Sequence, residues 1–161
     1  MPFGDVHYSS EREDWATPQA FFNRVNDAFG FDLDVCASPN NAKCERYYTT
    51  ERSGLLHPWS GIAWCNPPYG RDIGLWVRRA AEQAQNGTTV CVLTFARTDT
   101  HWFQEYGRQA DYVLFVKGRL KFGSGKNSAP APSILMAFGP ESNRIEQIAD
   151  MGCLCRMGLA P

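Results

Sequence analysis

The chain lacks any run approaching the roughly 20 consecutive apolar residues that a membrane-crossing helix needs, so no membrane partner is expected. It also lacks an excess of either charge. Sixteen Lys and Arg stand against 17 Asp and Glu, a net charge of −1, and no global field advertises nucleic acid or lipid. The six cysteines, Cys36, Cys44, Cys65, Cys91, Cys153 and Cys155, contain no CxxC pair. The spacing of Cys36, Cys44, Cys153 and Cys155 fits no familiar zinc site, so no metal is expected. Cys65 and Cys91 sit inside apolar, strand-like runs, the usage of a reducing cytosol. Internal repeats and low-complexity segments are missing too. The opening MPFGDVHYSSEREDW holds no apolar segment of the secretory kind, and the expectation is a soluble, cytoplasmic protein.

What is present is core-forming. Of 161 residues, 43% are hydrophobic and 13% aromatic, which suits one compact domain. The expected division is a flexible segment over 1–14, a domain over 15–138 and a C-terminal tail over 139–161 that packs on or extends the domain. WATPQAFFNRVNDAFG reads as a helix with Thr17 as N-cap, Pro18 in its first turn and Gly30 past its end. FDLDV (31–35) reads as a strand, followed by a long, weakly patterned connection with a short strand near Tyr47 and Tyr48. GIAWC (61–65), TTVCVLTF and DYVLFV read as buried strands. RDIGLWVRRAAEQAQNG is a helix between the first two, and a shorter helix capped by Thr98 or Asp99 precedes the third. RLKF and SILMAF suggest a late antiparallel pair. Strand, helix, strand, helix, strand over 61–116 implies crossover units on a largely parallel α/β sheet. Ligands of such sheets sit beyond the carboxyl ends of the strands.

Two candidate corners fall at such ends, after Val35 and after Cys65. The second reads CNPPYG. Two prolines cannot donate backbone hydrogen bonds, and Pro67 holds Asn66 in extended conformations. The corner is either a stiff structural turn or a device presenting an amide (Asn66), free carbonyls and a ring face (Tyr69) to a flat, amino-bearing ligand such as a nucleobase. Charge is locally uneven as well. From Arg97 to Lys126, six basic residues (Arg97, Arg108, Lys117, Arg119, Lys121 and Lys126) meet three acidic ones, a local basic surface under a neutral total.

Asn66-Pro67-Pro68-Tyr69 resembles the (Asp/Asn/Ser)-Pro-Pro-(Tyr/Phe/Trp) motif of S-adenosylmethionine-dependent amino-methyltransferases. The ordered set WATPQAFF, FDLDVCASPNNAKC, GLLHPWSG, CNPPYGR, FARTDTHWF and GRLKFGSGKNSAPAPSILMAF, over residues 15–138, resembles the phage-type, Dam-like DNA adenine-N6 methyltransferases. That resemblance implies a Rossmann-like methyltransferase fold with parallel strands and a terminal antiparallel strand. It implies S-adenosylmethionine as methyl donor, and as substrate DNA whose adenine is swung out of the helix.

Carried over residue by residue, the resemblance implies Asn66, Pro67, Pro68 and Tyr69 as the catalytic corner. Trp15, Thr17, Pro18, Asp34, Cys36, Ala37 and Ser38, with Asn66, would contact the cofactor. Thr17 is either its carboxylate ligand, a helix cap, or both. Asp34 is either the partner of its amino group or a loop-capping carboxylate. Glu45 or Glu51 would hold the ribose. The chain departs from the wider methyltransferase pattern in having no Phe-x-Gly-x-Gly loop after the first strand; FGSG at 122–125 comes too late. DNA contacts would come from Arg71, Arg97, Asp99, Lys117, Arg119, Lys121 and Lys126. Asp99 is alternatively a helix cap and the basic loop a solvated hairpin, while His101 reads as a surface histidine. No separate target-recognition domain is visible, so short or relaxed specificity is expected. The rival readings are a methyltransferase of cytosine N4, RNA adenine or protein glutamine, and a non-catalytic DNA-binding module on the same fold.

Overall fold

The computed structural model describes residues 16–122 and 129–158, so the expectations for 1–14, Trp15 and Lys126 lie outside the described residues. Helix α1 (Gln19–Phe29) buries the whole expected stripe of Phe21, Phe22, Val25, Ala28 and Phe29. Gly30, at φ 67°, ends it by donating its N–H to the Asn26 carbonyl at 2.7 Å, a left-handed conformation that favours glycine. The start of the helix differs from expectation. Pro18 occupies the N-cap position and no side chain caps the helix, so Thr17 is not its cap.

Seven strands form one sheet in the order β2-β1-β3-β4-β6-β5-β7. They are β1 (Leu33–Asp34), β2 (Arg46–Tyr47), β3 (Ile62–Cys65), β4 (Thr89–Phe95), β5 (Tyr112–Val116), β6 (Ser133–Phe138) and β7 (Gly152–Arg156). The pairs β2–β1, β1–β3 and β3–β4 are parallel. Strand β6 is antiparallel to β4 and β5, and β7 is antiparallel to β5. Strands β1 to β5 therefore point one way, and their carboxyl ends share an edge with the start of β6. Helices α2 (Ile73–Gln85) and α3 (His101–Glu105) complete the regular elements.

Side chains alternate across the sheet, as the two-residue period of a strand demands. Trp64, Cys91, Leu93 and Phe95 pack with α1 on one face; Ala63, Cys65, Val90 and Val92 pack with Trp76, Val77, Ala80 and Ala81 of α2 on the other. The architecture is thus an α/β sheet covered on both faces, which explains its continuous apolar strands.

Three sequence expectations are corrected and one is sharpened. FDLDV pairs over two residues only, Leu33 and Asp34. RLKF forms no strand, and SILMAF is inserted alone between β4 and β5. All six residues of β6 are buried, as an interior strand requires, whereas Lys121 and Arg119 are exposed and suit no such place. The stretch after Gly139-Pro140 is more ordered than its weak pattern suggested. A kinked 3-10 run (Ser142–Met151) buries Ile145 and Ile148 under the sheet, and β7 follows as an edge strand. An edge strand needs only partial burial, which left little periodicity to read. Finally, Thr100 caps α3, its hydroxyl accepting the Phe103 N–H at 3.4 Å; neither Thr98 nor Asp99 does so.

Candidate active site

The turns after β1 and β3 lie side by side because those strands are neighbours in parallel register, with Val35 N–H donating to the Trp64 carbonyl at 3.0 Å. Between them opens a cavity of about 230 Å³ lined by Ala16, Thr17, Asp34, Cys36, Asn41, Lys43, Trp64, Asn66, Pro67, Pro68 and Tyr69. Of the cofactor candidates, Thr17, Asp34, Cys36 and Asn66 reach this wall, while Pro18, Ala37 and Ser38 do not line it. Glu45 and Glu51 are exposed and line it no more than they do.

The Asn66 amide is oriented by two hydrogen bonds. Its Nδ2 donates to Thr17 Oγ1 at 2.9 Å, and its Oδ1 accepts the Tyr69 hydroxyl at 3.3 Å. Thr17 is only 5% exposed, so this brace from the segment before α1 is shielded from water. The helix-cap reading of Thr17 is thereby replaced by a contact spanning 49 residues. The Tyr69 ring stacks on Phe95 with centroids 4.2 Å apart and planes 15° apart, and Phe122 meets both rings edge-on. Burial, with a smaller push from Cys65, raises the Tyr69 phenol well above its usual range, so it stays protonated.

Asp34 is buried, and both carboxylate oxygens are engaged. Oδ1 accepts the Cys36 N–H at 3.2 Å and Oδ2 the Lys43 N–H at 3.0 Å. It is therefore a loop-capping carboxylate and a wall of the cavity at once. The loop it caps carries Lys43, which the sequence reading missed. Lys43 Nζ donates to Gln19 Oε1 at 2.8 Å, tying the loop to α1. Desolvation lowers the Lys43 pKa and the nearby Asp34 charge partly restores it. The neighbouring Cys44 thiol is pushed up to about 12 by burial and by Asp34 and Asp32, so it stays a thiol.

Tyr69 is also a wall of a second hollow, of about 440 Å³, shared with Gly70, Arg71, Ile73, Gly74, Phe95, Arg97, Thr100, His101 and Trp102. Arg71 and Arg97 of the DNA candidates thus stand beside the corner. Asp99, Lys117, Arg119 and Lys121 are exposed and line neither hollow. Arg119 Nη1 donates to the Ala129 carbonyl at 3.1 Å, and Ala129 N–H to that of Leu120 at 2.8 Å, so Arg119 braces the base of its own loop. His101 forms an exposed pair with Glu105 at 2.6 Å.

Fold and site together define an α/β protein with a polar cavity beside an Asn-Pro-Pro-Tyr corner at the carboxyl edge of its sheet. The family model for DNA N-6-adenine-methyltransferase (Dam) matches residues 6–148, and the chain belongs to that family. It is 31% identical over 112 residues to the "DNA N-6-adenine-methyltransferase" of Escherichia phage T1, covering 68% of this chain and 47% of that protein. It is 43% identical over 65 residues to the "Putative methyltransferase YfdM" of Escherichia coli (strain K12), covering 35% of this chain and 71% of that protein. The chain therefore matches about half the length of the phage T1 relative.

Proposed function

We propose that the protein methylates the N6 amine of adenine in DNA with S-adenosylmethionine as donor. The observation that carries this reading is the braced Asn66 amide at the mouth of a cavity that also holds Asp34 and Lys43. The finer fold follows: a Rossmann-like methyltransferase sheet in which β6 is the inserted antiparallel strand.

The donor set fits the cofactor. Its methionine end is a zwitterion, and the cavity wall offers an anion (Asp34), a cation (Lys43) and a hydroxyl (Thr17). Thr17 Oγ1 receives the Asn66 amide and keeps its own proton to donate to a carboxylate. Bound S-adenosylmethionine supplies an electrophilic methyl group on a sulfonium.

Adenine N6 is a poor nucleophile because its lone pair is delocalised into the ring. Two acceptors, Asn66 Oδ1 and the Pro67 carbonyl, take its two hydrogens and localise that lone pair. A carbonyl oxygen can accept twice, so the Tyr69 bond to Oδ1 is compatible with this role. Thr17 holds the amide with its oxygen toward the substrate, and positioning supplies much of the rate. The amine proton leaves to solvent after transfer, which assigns no base role to His101. Tyr69 presents a ring face to a flipped base, its other face resting on Phe95. The setting we propose is a bacterial cytoplasm carrying phage or prophage; all six cysteines are free thiols, as a reducing compartment favours.

The test is tritiated methyl transfer to unmethylated DNA, followed by nucleoside analysis. N6-methyladenine is the expected product. Label found only in cytosine, RNA or protein, or in no acceptor at all, would overturn the assignment.

A further inference from the structure

The proposed reaction uses the cavity between Asp34 and Asn66 and leaves the second hollow without a role. Tyr69, Phe95, Trp102 and Ile73 give that hollow a largely apolar lining, three of the four being aromatic. Its volume of about 440 Å³ falls within the range of small-ligand pockets. Asn66 is not among its lining residues, so the amine that receives the methyl group is not seated here. Arg71 and Arg97 are exposed at it, neither forms an ion pair among the described residues, and the Arg97 guanidinium lies 5.7 Å over the Phe95 ring.

The helix beside it carries a costly residue. Gly74 is the second residue of α2, and glycine forms helix less readily than alanine. A Cβ at that position would stand 3.3 Å from Trp102 Cβ, pressing into the side of the hollow. The missing side chain thus lets α2 approach the Trp102 Cβ closely along the wall of the hollow that Gly74 itself lines.

We propose that this hollow is a second nucleotide subsite, holding the unstacked base that adjoins the target adenine while Arg71 and Arg97 face its phosphates. The inference rests on the DNA-methylation reading and names how the same site grips the strand. Aromatic walls accept any base by its π-face, and guanidinium groups suit phosphate oxygens. The subsite would therefore contribute affinity with little preference for which base fills it.

The experiment is equilibrium DNA binding by fluorescence anisotropy, a readout that needs no methyl transfer. Oligonucleotides carry one adenine, with an abasic residue at the 5′ neighbour, the 3′ neighbour or the adenine itself. The wild-type protein should lose about tenfold in affinity when one particular neighbour is abasic. Trp102→Ala should bind intact DNA about tenfold more weakly and show no further loss with that abasic strand. Gly74→Ala, which narrows the hollow while favouring the helix, should shrink the same penalty and carries the test if Trp102→Ala does not fold. A wild-type protein indifferent to both neighbours overturns the proposal. So does a neighbour penalty that persists unchanged in the variants, or one found only at the target adenine. If the protein methylates DNA yet shows no neighbour penalty, only the subsite falls. If it neither binds nor methylates DNA, the parent reading falls with it.

Discussion

On one side of Tyr69 the walls are Thr17, Asp34, Lys43 and Asn66, each tied by a hydrogen bond to another part of the chain; on the other they are Phe95, Ile73 and Trp102, with two exposed arginines beside them. The polar side is oriented before any ligand arrives. Its groups lose little freedom on binding, and a displaced amide or carboxylate leaves its partner unsatisfied, at about 1–3 kcal/mol when buried. The apolar side asks only for a flat surface, and stacking tolerates any base. Changes on the polar side should therefore strike turnover or cofactor affinity, and changes on the apolar side DNA affinity.

The sharpest way to break this division is Asn66→Ala. It removes the proposed acceptor for N6 while leaving Asp34, Lys43 and their loop in place. We expect kcat to fall by at least about a hundredfold, roughly 3 kcal/mol of transition-state stabilisation, with a much smaller change in calorimetric cofactor affinity. Turnover at the wild-type rate would make the corner structural and sink the mechanism.

Lys43→Met tests the opposite end of the same cavity. Loss of the cation should weaken S-adenosylmethionine binding by about tenfold, roughly 1.4 kcal/mol, with kcat at saturation unchanged. The pH dependence follows from the lowered pKa. If protonated Lys43 pairs with the carboxylate of the cofactor, affinity should hold below its pKa and fall as pH rises through it. Because burial lowers that pKa from 10.5, the fall begins at less alkaline pH than for a free lysine. Lys43→Arg, which stays charged, should extend the plateau upward. Identical profiles for wild type and Lys43→Arg would remove Lys43 from the cofactor site.

A smaller effect is expected outside both hollows. Lys117 and Lys121 are exposed on the approach to the loop after β5. If they contact phosphates, Lys117→Ala and Lys121→Ala should each lower the slope of log affinity against log salt by about one, equally for all DNA sequences. Arg119 is a poorer probe, because its guanidinium braces the loop base through the Ala129 carbonyl. Unchanged slopes in both lysine variants would leave the segment a solvated hairpin.

Legibility in the sequence divides along similar lines. Helices α1 and α2 and strands β3 and β4 were readable because burial on one stripe or on both faces imposes a period or a run. The Asn-Pro-Pro-Tyr corner was readable because two prolines constrain the backbone whatever surrounds them. Lys43 was not, since its place in the wall depends on Asp34 pulling a loop without periodicity around its own carboxylate. The Thr17 contact with Asn66 was hidden for another reason. A threonine before a proline at a helix start satisfies local capping rules so well that no sequence signal points 49 residues away. The insertion of β6 between β4 and β5 likewise depends on which strand can be buried on both faces, a comparison among segments far apart in the chain.

The smallest predicted effect bears on the wall the two hollows share. Tyr69→Phe keeps the ring that stacks on Phe95 at 4.2 Å and meets Phe122 edge-on. It loses only the hydroxyl, whose bond to Asn66 Oδ1 is long at 3.3 Å. Thr17 still orients the amide through Nδ2, and the vacated position on Oδ1 is one that a substrate amine can take. The phenol does not ionise at working pH, its pKa being raised by burial, so no charge is lost. Turnover should therefore stay within about threefold of wild type, a change of under 1 kcal/mol. Tyr69→Ala, which removes the ring, should cost on the order of 1–3 kcal/mol in DNA binding. Parallel anisotropy and single-turnover measurements separate the outcomes. Equal losses in the two variants would show that the hydroxyl, and not the ring, is what Tyr69 contributes, and the contrast between a polar and a stacking side would no longer hold at their boundary.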